Sequence, residues 1–146
     1  MVNVISVDEA HSYLSGALHR RVCDVQLGHG SFITMSFHSL VDSRDVDYFL
    51  WVYCTGWNLT SASKLLSASE DERTEIATSI SALESSYLEL ITIDWPSMSM
   101  ALAFSGGLTL TTASVFSMGY EHWMWKLPSS DWLVAGPGST LSIETR

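Results

Sequence analysis

The run from Phe49 through Leu50, Trp51, Val52, Tyr53, Cys54, Thr55 and Gly56 to Trp57 constrains this chain more than any other. From Tyr48 to Cys54 every residue is apolar or aromatic. It is too short to cross a bilayer as a helix, and its aromatic content favours a strand. Alternate side chains of a strand point to opposite faces. Leu50, Val52 and Cys54 therefore share one face, and Phe49, Trp51 and Tyr53 share the other. A strand apolar on both sides is normally covered on both sides, so the run is expected to be a central strand with a packed layer on each face.

The flanking segments read as partners for that strand. Val22 to Leu27 and Phe32 to Phe37 alternate around the turn Gly28-His29-Gly30, which predicts a hairpin. In it Cys23, Val25 and Leu27 lie on one side. Met98, Met100, Leu102 and Phe104 alternate with small residues before the turn Gly106-Gly107. Trp123, Trp125 and Leu127 alternate with His122, Met124 and Lys126.

Two stretches carry helix signals. Ser6 and Glu9 form a capping box ahead of a short helix over about Val7 to Ser15. Ser69 and Glu72 repeat the pattern, and Ile76, Ile80 and Leu83 follow at helical spacing, which predicts a helix over about 70–84 packed on the sheet. The order helix, strands, helix, strands gives an α+β fold. We expect a single domain, residues 1–146, with a mostly antiparallel, strongly bent sheet or partly open barrel of about 7–9 strands.

Charge narrows the partners. The net charge of −9 argues against nucleic acid and against an anionic membrane surface. It suits a basic protein partner drawn in by long-range attraction. Asp42, Asp45 and Asp47 in one loop and Glu70, Asp71 and Glu72 at the second helix are the acidic residues expected to meet it. A second copy of the chain is the other expected partner. The six tryptophans exceed what one core usually needs, so at least one is expected to be exposed at an interface.

Chemistry leaves little trace. The five histidines show no helical metal spacing and Cys-x2-Cys is absent. No nucleophile, phosphate-loop or dinucleotide motif occurs. Neither a catalytic residue, a cofactor nor a metal is expected. Cys23 and Cys54 are expected to be reduced and buried in a cytoplasmic protein, since Met1 to Ile5 does not read as a signal peptide. The rival to a protein-interaction role is a small-molecule binder with an apolar pocket or interface built from Trp51, Tyr53, Trp57, Met100, Trp123 and Trp125.

The segments Leu27 to Phe37 and Leu50 to Trp57 resemble parts of a family of small, uncharacterised bacterial proteins. Its members have a Gly-x-Gly-Ser hairpin, a Trp-rich strand and a helix behind a Ser-x-x-(Glu/Asp) cap. In size and acidity such proteins are similar to the immunity proteins that neutralise bacterial toxins. The resemblance implies a bacterial, accessory, non-catalytic role and transfers no catalytic residue.

Overall fold

The computed structural model describes residues 1–42, 44–62, 64–113 and 119–145. Their strands are β1 (Val2–Val4), β2 (Val22–Leu27), β3 (Ile33–His38), β4 (Val46–Val52), β5 (Gly56–Ser61), β6 (Lys64–Ala68), β7 (Leu88–Asp94), β8 (Ser99–Phe104), β9 (Leu108–Ala113), β10 (Trp123–Lys126), β11 (Trp132–Ala135) and β12 (Leu141–Glu144). The helices are α1 (Val7–Leu14) and α2 (Arg73–Ile80), each followed by a short 3-10 turn.

The strands form two sheets, antiparallel throughout. One has seven strands in the order β1-β12-β11-β10-β4-β3-β2, and the other has five in the order β6-β5-β9-β8-β7. This corrects the single bent sheet or barrel of 7–9 strands. The chain leaves the first sheet after β4 and enters the second at β5, so the aromatic run that reads as one strand is divided at Tyr53–Thr55. Strand β6, with Leu65 and Leu66 adjacent, has no apolar alternation to mark it.

The sheets face each other across one core. Ile33, Met35, Phe37, Leu50, Val52, Trp123, Trp125 and Leu133 project from the larger sheet, and Trp57, Leu59, Met100, Leu102, Phe104 and Leu110 from the smaller; all are buried. Two indole N–H groups reach across. Trp123 Nε1 donates to the Met98 carbonyl oxygen at 2.9 Å, and Trp125 Nε1 to Met100 Sδ at 3.3 Å. On one side a backbone seam joins the sheets: His19 and Val22 N–H groups donate to the carbonyls of Leu88 and Ser86, and Leu88 N–H to that of Arg20.

The hairpin β2–β3 forms as expected, with a register shift between Cys23 and Gln26. Asp24 at φ +55 makes a bulge there. The bulge lets Val22 and Leu27, five residues apart, pair with the inward Phe37 and Ile33, while Cys23 pairs with the outward Ser36. Cys23 is therefore not on the face of Leu27, and both thiols are half-buried and free rather than fully buried.

The first capping box is complete: Glu9 N–H donates to Ser6 Oγ and Ser6 N–H to Glu9 Oε1, both at 3.1 Å. The second does not form. Glu72 is the N-cap of α2 without a side-chain bond, and the helix spans Arg73–Ile80 rather than 70–84. Ser69 is engaged by β5, donating its N–H to the Trp57 carbonyl and accepting Trp57 N–H on Oγ. Glu84 lies beyond the helix, where its carboxylate accepts the Asp24 and Val25 N–H groups of the bulge. Cross-strand bonding outweighs the local cap.

Candidate interaction surfaces

The register fixes what the outer face of the larger sheet presents. One cross-strand row reads Ser36, Phe49, Lys126, Trp132, Glu144, Val2; the next reads Thr34, Trp51, Met124, Val134, Ser142, Val4. Of the central strand, Tyr48, Leu50 and Val52 enter the core, while Phe49, Trp51 and Tyr53 are half-buried on this outer side. The expectation of a packed layer on each face is thus corrected. A sandwich covers one face of each sheet, and these aromatics shield one another. Phe49 and Trp132 meet edge to face with centroids 6.2 Å apart, across the Lys126 position. Trp51 and Tyr53 lie 4.9 Å apart, and Phe32 stands 4.8 Å from Tyr53. A surface groove of about 410 Å³, lined among others by Asp47, Phe49, Lys126, Pro128 and Trp132, lies at one end of the face.

The apolar set read from the sequence is not assembled into a pocket. Trp57, Met100, Trp123 and Trp125 are core residues with almost no exposed surface, whereas Trp51 and Tyr53 belong to the outer face. The candidate pocket joins Trp51 and Trp123, but they lie on opposite sides of the same sheet, since Trp123 pairs with the inward Val52. The exposed tryptophan is Trp95, beside a groove of about 420 Å³ lined also by Val4, Ile5, Val7 and Leu141.

The acidic residues divide into two groups. Asp42, Asp45 and Asp47 sit at or near the β3–β4 turn. Glu70, Asp71 and Glu72 lie before α2, whose Arg73 reaches the β2–β3 turn and donates to the carbonyls of Gly28 and Gly30. Those turns are opposite ends of β3, which at six residues is about 20 Å long. The six acids therefore do not make one surface.

Nor are all six free. Asp47 Oδ2 accepts from Arg20 Nη1 at 2.8 Å, and Arg20 is buried over the Tyr48 ring. Asp42 pairs with Arg44, whose backbone and side-chain N–H groups hold its carboxyl below the usual range. Asp71 accepts the Ala68 N–H. Asp45, Glu70 and Glu72 are exposed.

Near the α2 group the sequence reading missed Leu65 and Leu66, which are 58% and 36% exposed, and Glu75. Leu66 and Glu75 line one open groove of about 520 Å³ with Thr74, Thr78, Ser79 and Ala82. The Leu65-Leu66 pair, apolar in an otherwise polar segment, was the available signal. On the large sheet it missed Phe49, Lys126 and Trp132, because only strand pairing brings them into one row.

The remaining titratable groups are dispersed. His122 is buried; its Nε2 donates to the Gly138 carbonyl at 3.0 Å, and Nδ1 has no partner among the described residues. Burial raises the Cys54 thiol, and the Glu121 charge raises it further. Among the described residues no three His, Cys, Asp or Glu side chains are grouped to hold a metal ion. No described helix is long and apolar enough to cross a membrane. No known protein family, curated protein or solved structure matches the chain.

Proposed function

We propose that this protein is a non-enzymatic, cytoplasmic interaction module that docks a basic protein partner at the entrance to α2. The observation that carries this reading is the engagement of Arg73. It is the one cation within the acidic run, and its guanidinium is turned to the carbonyls of Gly28 and Gly30. The charges of Glu70, Glu72 and Glu75 are left facing solvent. Beside them the exposed Leu65 and Leu66 supply apolar area, and an anchor of that kind next to like charges is what a cationic, partly apolar surface fits. An immunity-type role, neutralising a cationic bacterial toxin, is the specific form that the resemblance of the hairpin and Trp-rich strand suggests.

The test is capture on immobilised protein at about 50 mM and about 500 mM salt, which bracket strong and weak screening. Wild type is compared with the triple variant Glu70→Lys, Glu72→Lys, Glu75→Lys. The partner should be held at low salt, released at high salt and lost by the variant. Equal retention at both salts, or retention by the triple variant, would overturn the reading.

A further inference from the structure

We propose that two copies of this chain join edge to edge through β1, which pairs antiparallel with its own counterpart about a two-fold axis at Asn3. The two seven-stranded sheets then become one continuous sheet. β1 is the opposite edge of that sheet from β2, whose turn holds Arg73, so this surface is separate from the acidic entrance to α2.

An edge strand exposes unpaired backbone N–H and C=O groups, and folds usually blunt such edges with bulges or charges. The described edge strands are β1, β2, β6 and β7. Strand β2 is bulged at Asp24, and the Glu84 carboxylate already takes the N–H groups of Asp24 and Val25. Strand β6 carries the exposed Lys64 and a register shift against β5. Strand β7 carries the exposed Glu89 and Asp94 and a register shift against β8. Strand β1, Val2-Asn3-Val4, has neither charge nor bulge, and every residue of it is exposed.

The ladder with β12 fixes which backbone groups β1 leaves free. Ile5 N–H donates to the Leu141 carbonyl at 2.9 Å, and Thr145 N–H to that of Met1 at 3.1 Å. In an antiparallel ladder the N–H and C=O of one residue point to the same side, and successive residues alternate. Met1, Asn3 and Ile5 are therefore turned to β12, and Val2 and Val4 point their N–H and C=O groups off the edge. That set is self-complementary. With Asn3 opposite Asn3 of the second copy, Val2 of each copy stands opposite Val4 of the other. Every N–H that one copy points off the edge then meets a carbonyl of the other, and the reverse bonds form by symmetry, as an isologous contact requires.

The side chains fit the same register. Met1 of one copy stands opposite Ile5 of the other and on the same face of the extended sheet. Ile5 lines the groove of about 420 Å³ together with Val7, Trp95 and Leu141. Met1 and Trp95 are 86% and 68% exposed in the single chain, so the pairing seats an uncovered apolar side chain in an uncovered apolar groove. Methionine, unbranched and flexible, is suited to follow such a groove. On the other face the exposed Val2 and Val4 meet across the new pair. A second copy thus supplies both the backbone groups and the side chain that this edge lacks. The contact falls below the ~800 Å² per partner of a standard stable interface, so the dimer is weak and concentration-dependent.

The experiment is sedimentation velocity of the full chain from about 5 to about 500 μM, the range in which a contact of this size dissociates. Wild type should shift from monomer to dimer. Val4→Pro removes an N–H that points off the edge, where proline is tolerated, and should leave the chain monomeric throughout the range. Trp95→Ala removes a wall of the Met1 groove and should weaken the dimer about tenfold or more. Circular dichroism checks that each variant is folded. Amide exchange read by NMR tests the edge without a substitution. The Val4 amide should gain protection as the wild-type concentration rises, whereas the Ile5 amide, bonded to Leu141, should be protected throughout. A wild type that stays monomeric overturns the proposal, even where the edge takes up a foreign extended peptide. So does a dimer that Val4→Pro leaves intact, or one in which the Val4 amide gains no protection. A dimer that Trp95→Ala does not weaken overturns the seat assigned to Met1.

Discussion

Trp123, on the larger sheet, donates its indole N–H to the backbone carbonyl oxygen of Met98, just before the smaller sheet's β8, at 2.9 Å. Both residues are fully buried. Its neighbour Trp125 gives its N–H to the sulfur of Met100, a weaker acceptor. Trp123→Phe strands a buried carbonyl, which costs about 1–3 kcal/mol beyond the lost ring volume. Trp125→Phe strands no strong acceptor. Urea denaturation should therefore place the Trp123→Phe midpoint below that of Trp125→Phe.

Gly136 adopts φ +87, and a Cβ there would lie 2.9 Å from the His122 ring. Gly30 also has positive φ, +64, but opens onto empty space. Gly136→Ala should cost about 2–4 kcal/mol, combining left-handed strain with the clash. Gly30→Ala should cost only the strain, about 1 kcal/mol. Equal midpoint shifts in urea would show that His122 yields without cost.

Asp47→Ala leaves the buried Arg20 guanidinium without its carboxylate. Because Asp47 is itself partly exposed, the loss should be about 1–3 kcal/mol rather than the full cost of a buried unpaired charge. Asp45→Ala, in the exposed turn beside it, should change stability by less than about 0.5 kcal/mol. Thermal unfolding of the two variants separates an acid that holds the fold from one that does not.

Alkylation by iodoacetamide should be slow at neutral pH for both cysteines. Burial raises the thiols of Cys23 and Cys54, with Glu84 and Asp24 adding to the first and Glu121 to the second. The protonated thiol is favoured, so the rate should climb only above the ordinary thiol range. Glu121→Gln removes a negative charge and should bring the onset for Cys54 to lower pH. The linkage has the same sign: the folded state keeps these protons longer than the unfolded chain, so their stabilising contribution falls away as pH rises past the ordinary thiol value.

Local pattern was legible wherever one force acted alone. Ser6 and Glu9 cap α1 because no strand competes for them. The Met98 to Phe104 alternation became β8 from Ser99 onward, with Met98, Met100, Leu102 and Phe104 all buried. Ser69 carried the same cap signal as Ser6, yet β5 claimed it, since a buried Trp57 backbone needs its partners more than an exposed helix end does. The candidate site was half legible: the acids Glu70 and Glu72 were readable from the sequence, whereas their setting beside Leu66 and away from Asp42 was not.

Period-two alternation alone assigned Trp125 and Leu127, or Leu50 and Val52, to common sides, because pleating is a property of each strand; it failed at β2, where the Asp24 bulge takes Cys23 off the face of Leu27. Which side is covered, and what stands beside it, follows from the packing of the two sheets. Val2 meets Glu144 across nearly the whole chain, and Phe49 joins Trp132 through Lys126, by backbone pairing between distant segments. Those bonds are made by N–H and C=O groups that every residue carries, so the order of side chains leaves no mark of them.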